Sequence, residues 1–100
     1  MNEKFWNLLG LCMRAGKIAT GEDGCIKAIR AENAHLVLLD GSASANARKA
    51  LSDACAYRSV PLLETEADRL GAAIGKPNRK AAAVTDQGFA LALRKAAEKQ

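Results

Sequence analysis

The stretch His35-Leu-Val-Leu-Leu-Asp40 decides how the chain is read, because it sets four consecutive aliphatics between two polar ends. It predicts a strand buried on both faces. Such a strand needs a helical layer on either side, and the flanking sequence is periodic in the right way. Residues 3 to 15 place Phe5, Leu8, Leu9 and Cys12 at three- and four-residue steps, with Asn2 as cap and Gly16 as terminator, so a helix is expected there. Lys17 to Ala19 is a short strand, followed by a helix from about 21 to 32 whose apolar side carries Cys25, Ile26 and Ile29. Thr20-x-x-Asp23 resembles a capping box with Asp in place of Glu.

Downstream, residues 42 to 58 give a third helix with Ala47, Ala50, Leu51, Ala54 and Cys55 on one stripe. Val60-Pro-Leu-Leu63 is the next strand, with Pro61 near its start where a missing donor is tolerated. Thr65-x-x-Asp68 reads as another helix start, and Gly75 ends that helix. The loop Lys76-Pro-Asn-Arg-Lys80 leads to the strand Ala81-Ala-Ala-Val84 and a last helix from Asp86 to Glu98, with Phe89, Leu93 and Ala96 inward. Helices and short strands alternate from end to end, which predicts one α/β/α sandwich of about four strands spanning residues 1 to 100.

Composition agrees with that class. Aromatics make up only 4% of a chain that is 49% hydrophobic, so the core is built from Ala, Leu, Val and Ile. No apolar run reaches the length of a membrane span, and the N-terminus, broken by Asn7 and Gly10, does not read as a signal peptide. Three cysteines, Cys12, Cys25 and Cys55, cannot all pair within one chain and form no CxxC motif. They read as reduced, buried hydrophobes of a cytoplasmic protein.

The net charge of +4 points modestly toward polyanions. Acids gather at Glu64 to Asp68, read as a solvated helix start, and bases at Lys76 to Lys80, at Arg48-Lys49 and at Lys27/Arg30, which predicts a basic and an acidic side. No catalytic constellation stands out. His35, the only histidine, has no partner in sequence to orient it. Gly71 to Asn78 mimics a phosphate-binding loop, but three residues separate its glycines, Pro77 stands where Ser or Thr would hold magnesium, and it follows a helix. No metal or cofactor is expected.

The stretch Thr20-Gly-Glu-Asp-Gly-Cys-Ile-Lys27 is different. Gly24 falls in the first helical turn with Lys27 one turn later, so free N–H groups and an ammonium stand ready for a phosphate or a base edge. The same residues read equally well as a turn glycine, a packing glycine and solvated cations.

Taken together, residues 8 to 30, 34 to 49 and 70 to 86 resemble the kink-turn-binding ribosomal-protein family, the large-subunit "seven-Ae" and "thirty-e" proteins and their small bacterial relatives. The likeness covers nearly the whole chain and is most pointed in the LGxAxGK start and Ala-rich strand near its end. It implies a three-layer α/β/α domain with a mixed four-stranded sheet that binds structured RNA without catalysis. The RNA would be ribosomal or another RNA carrying a kink-turn, a bent internal loop with tandem sheared G·A pairs, with other ribonucleoprotein components as possible partners. The family's recognition helix starts Gly-x-Asn-Glu-x-x-Lys, which falls here on Gly21, Glu22, Asp23, Gly24 and Lys27. Asp23 and Gly24 replace the Asn and Glu that relatives turn toward guanine edges, leaving backbone amides, Lys17 and Lys27 to hold phosphate. The resemblance places a second contact at Lys76 to Ala81, with Arg79 and Lys80, beside the turn carrying Ser42, Ser44 and Asn46. Two rivals remain: a protein-interaction adaptor that keeps the fold, which the altered Asp23-Gly24 pair favours, and an enzyme of nucleotide or RNA metabolism, which the missing catalytic groups disfavour.

Overall fold

A computed structural model describes residues 1 to 98. In chain order the elements are α1 (Glu3–Arg14), β1 (Ile18–Thr20), α2 (Gly21–Arg30), β2 (Leu36–Asp40), α3 (Ala45–Arg58), β3 (Leu62–Thr65), α4 (Leu70–Ala73), β4 (Ala81–Val84) and α5 (Gln87–Glu98). The strands form one mixed sheet in the order β1-β4-β2-β3, with β4 antiparallel to both its neighbours and β2 parallel to β3.

The HLVLLD run is the sheet's centre, and all five residues of β2 are buried. Because side chains alternate across a strand, Leu36 and Leu38 pack with Phe5, Leu9 and Cys12 of α1, Leu70 at the start of α4 and Leu93 of α5. Val37 and Leu39 pack on the opposite side with Cys25 and Ile29 of α2 and Leu51 and Cys55 of α3. The result is the expected three-layer sandwich. The alanines of β4 serve both faces: Ala82 belongs to the first core, Ala81 and Ala83 to the second. Small side chains there let helices lie close to the sheet, which is how a core nearly free of aromatics fills its volume.

Several boundaries differ from expectation. α3 starts at Ala45, capped by the Ser44 hydroxyl, which accepts from the Ala47 N–H at 3.1 Å. Asp86 caps α5 from outside, accepting from the Phe89 N–H at 2.9 Å. Thr20 occupies the N-cap position of α2 but makes no side-chain capping bond, so no capping box forms. The largest correction concerns Thr65. It does not start a helix; it pairs with Asp40 as the last residue of β3, and α4 is a single turn from Leu70. The cap for that turn comes from Asp40, a carboxylate remote in sequence, and local pattern is blind to it.

Nor do acids and bases segregate. Glu64 pairs with Arg48, Glu66 with the N-terminal ammonium, and Asp68 with Lys80 at 3.0 Å, so the acidic segment lies beside the basic loop.

Candidate RNA-binding cleft

β1 delivers the chain directly into α2 with no loop between them, and only a left-handed residue makes that corner. Gly21 supplies it, with φ +82°. Its missing side chain has a second consequence. A Cβ there would lie 2.7 Å from the Arg79 guanidinium, which occupies the space instead. The α4–β4 loop thereby places a permanent cation at the N-terminal end of α2, where unpaired amides and the helix dipole already favour an anion.

The loop itself is built by glycines. Gly75 closes α4 with φ +71°, and Gly71 is buried beneath the Lys76–Pro77 backbone, where a Cβ would meet two carbonyl oxygens at 2.8 Å. The Lys76 N–H donates back to the Gly71 carbonyl at 2.9 Å. The glycines that mimic a phosphate-binding motif in sequence are therefore packing and capping residues.

Between this loop, the start of α2 and the turn after β2 lies a cleft of about 380 Å³. Gly21 and Glu22 form one wall, Ser42 and Ser44 another, and Asn78, Arg79 and Lys80 a third, over a floor of Leu39 and Ala81. Six residues anticipated from sequence or resemblance thus meet: Gly21, Glu22, Ser42, Ser44, Arg79 and Lys80. Asn46 is exposed in the first turn of α3, outside the lining. Asp23 and Lys27 face a separate, wider groove of about 1010 Å³ between α2 and α3, which also contains Ile26, Arg30, Tyr57 and Arg58. Gly24 is half-buried, and a Cβ on it would stand 3.8 Å from that of Ala19, an ordinary packing distance. Lys17 is exposed just before β1, where its carbonyl accepts from the Thr85 N–H. In the sheet register that is the far end of the strand from Gly21, roughly 13 Å away at about 3.3 Å per residue.

Sequence reasoning missed Asp40. Its side chain is fully buried, yet it holds the cleft's supports together. One carboxylate oxygen accepts from the N–H groups of Arg69 and Leu70 at 3.1 and 3.0 Å. The other accepts from the Asp68 N–H at 2.8 Å, the Ser42 N–H at 3.0 Å and the Ser42 hydroxyl. Its own N–H donates to the Lys80 carbonyl at 2.8 Å. Burial by itself would raise its pKa, but the hydrogen bonds from Ser42, Asp68 and Leu70 prevail and hold the carboxyl well below the usual range. One signal was available in sequence: an Asp ending an aliphatic run and followed by Gly41-Ser42 suits a turn in which the carboxylate bonds the backbone two residues on.

The three cysteines are all free and buried. Burial pushes the Cys12 thiol up to about 11 and the Cys25 thiol up to about 12, so neither is a nucleophile at neutral pH.

Comparison with known proteins bears on the family and the fold. Residues 3–93 match the model of the ribosomal protein L7Ae/L30e/S12e/Gadd45 family. The RNA-binding protein YlxQ of Bacillus subtilis (strain 168) is 49% identical over 88 residues, 87% of this chain and 88% of the relative. The Enterococcus faecium protein of the same name is 44% identical over 90 residues, 88% and 85% of the two chains. Among solved structures, a protein of unknown function from Bacillus halodurans C superposes with a TM-score of 0.88 at 35% identity, covering 94% of this chain and 96% of that one. The Giardia lamblia 15.5kD RNA binding protein shares the fold, with a TM-score of 0.75 at 18% identity over 99% and 89% of the chains. The chain belongs to the ribosomal protein L7Ae/L30e/S12e/Gadd45 family.

Proposed function

We propose that this family member is a cytoplasmic, non-catalytic RNA-binding protein that grips a structured RNA, a kink-turn or related internal loop, in the cleft at the start of α2. The observation that carries the reading is the Arg79 guanidinium seated against side-chain-free Gly21. A guanidinium and the amides of a helix start lie together there, an arrangement suited to a phosphate at a sharp backbone bend. The names of the YlxQ relatives support RNA as the class of ligand. Lys80 adds charge from the same loop, Ser44 and Asn46 flank it, and Glu22, Asp23, Gly24 and Lys27 present the first turns of α2 to the RNA beyond the cleft. Lys17 belongs to a different part of the surface and is not included.

Binding of a synthetic kink-turn RNA over a range of salt tests the proposal. Affinity should fall with a log–log slope of about 0.7 to 0.9 per contacted phosphate, and Arg79→Ala should weaken binding and flatten the slope by roughly one unit. A parent that binds with salt-independent affinity, or an Arg79→Ala protein that binds as the parent does, contradicts it.

The adaptor reading draws on the α2–α3 groove, where Tyr57 is 83% exposed and Arg58 lies 5.5 Å from its ring. Crosslinking separates the two: crosslinks to no discrete RNA, with a protein co-purifying in fixed ratio, would favour the adaptor.

A further inference from the structure

The hydroxyl of Ser42 stands on the cleft wall with its hydrogen already committed. Both oxygens of the Asp40 carboxylate are surrounded by donors: four backbone N–H groups and the Ser42 hydroxyl. A protonated carboxyl would point its own hydrogen at one of those donors, so Asp40 is an acceptor only. The contact between Ser42 and Asp40 must then use the serine hydrogen. The second carboxylate within reach of that hydroxyl, Asp68, is also an acceptor and changes nothing. What Ser42 offers to the cleft is its oxygen lone pairs.

We propose that Ser42 is a specificity-determining residue of the RNA cleft, accepting a hydrogen bond from a neutral donor of the bound RNA, a ribose 2′-hydroxyl or an exocyclic amino group. The inference rests on the RNA-binding reading and divides the cleft in two. A phosphate carries only acceptors, and at the Ser42 hydroxyl it would meet an acceptor backed by the buried carboxylate of Asp40, the Asp68 carboxylate being paired with Lys80. At the start of α2 it meets Arg79. Phosphate and sugar or base donor are thus directed to different groups of the cleft. If the donor is the 2′-hydroxyl, the cleft also distinguishes RNA from DNA.

The test uses a chemically synthesised kink-turn RNA in two series, one with single 2′-deoxy nucleotides and one with single inosine-for-guanosine or purine-for-adenosine replacements that delete an amino group. Each is bound by the parent protein, Ser42→Ala and Ser42→Thr at one salt concentration. One donor deletion should weaken the parent about fivefold, as for one net hydrogen bond. The same deletion should cost Ser42→Ala nothing further, and Ser42→Thr should regain the parent's sensitivity. The series in which the position appears identifies sugar or base. Because Ser42 is exposed, the Ala variant is expected to fold, and Ser42→Cys, a weak acceptor of similar size, gives an independent second reading of the same pattern. If the parent binds the RNA but every donor deletion costs the parent, Ser42→Ala and Ser42→Cys alike, the inference falls and the RNA-binding reading stands. A parent that binds no such RNA overturns both.

Discussion

Gly21 carries two demands at once, a left-handed backbone and an open volume for the Arg79 guanidinium. Gly21→Ala should therefore cost about 1–2 kcal/mol of stability from the backbone alone, measured by denaturant unfolding, and should also weaken RNA binding by displacing Arg79. An Ala variant as stable as the parent would contradict the backbone argument; full affinity would contradict the role of the Arg79 seat. Gly24 differs, since a side chain there meets only ordinary contact with Ala19. Restoring the family pattern with Asp23→Asn and Gly24→Glu should leave the fold intact and supply base-edge donors and acceptors that this chain lacks. Discrimination between a kink-turn and the same RNA without its G·A pairs should then sharpen, by an amount on the order of 1–3 kcal/mol per base-edge pair if DNA readout is a guide. The two substitutions leave the net charge unchanged, so a general electrostatic gain cannot produce the result. A flat ratio of dissociation constants would mean that recognition does not run through the first turn of α2.

At the scale of elements, α4 depends on a residue outside it. Three consecutive N–H groups at its start are held by Asp40, so Asp40→Asn should replace one acceptor oxygen with a donor and destabilise the protein by at least one charge-assisted hydrogen bond, about 1.5–3 kcal/mol. The effect has a pH signature. The native pKa of Asp40 is depressed below the unfolded value of about 3.9, so the unfolded chain takes up the proton first as pH falls. The stabilisation is complete above about pH 5 and declines as pH drops through 4 toward the native pKa. Urea titrations of parent and variant should show a stability gap that narrows below pH 4; a gap independent of pH would mean that the Asp40 pKa is the same in the folded and unfolded chains. This dependence also shows why the fold was more legible than its junctions. β2, α1, α3 and α5 were legible because each carries its buried side chains at a spacing set within the element, although the cores they build join residues remote in sequence. Thr65 satisfied the local pattern of a helix start and still ended a strand, because β2 paired with it and Asp40 had already taken the capping role. For the cleft, glycine pattern pointed to Gly24 with Lys27, which faces the other groove, and charge pattern to the Lys76–Lys80 loop as a whole; resemblance named Gly21, Arg79 and Lys80 and put them beside Ser42 and Ser44. Asp40 was missed because a carboxylate that bonds residues 28 to 30 positions away leaves only its local turn in the sequence.

Across the whole molecule, the sheet separates two helical layers and the cleft opens at one end of it, where β1 enters α2, β2 reaches α3 and α4 returns to β4. Charge is not gathered on one side to make a general polyanion surface, since acidic residues interleave with basic ones around the same end. We accordingly assign recognition to specific geometry at the cleft rather than to bulk field. Amide chemical-shift mapping of the isotope-labelled protein titrated with a kink-turn RNA tests that claim most directly. The account predicts that the largest shifts fall on Gly21 and Glu22, on Ser42 to Ala47 and on Asn78 to Ala81, with α1 and α5 quiet. Shifts confined to the α2–α3 groove around Tyr57, or to Lys17 and the far end of β1, would contradict it.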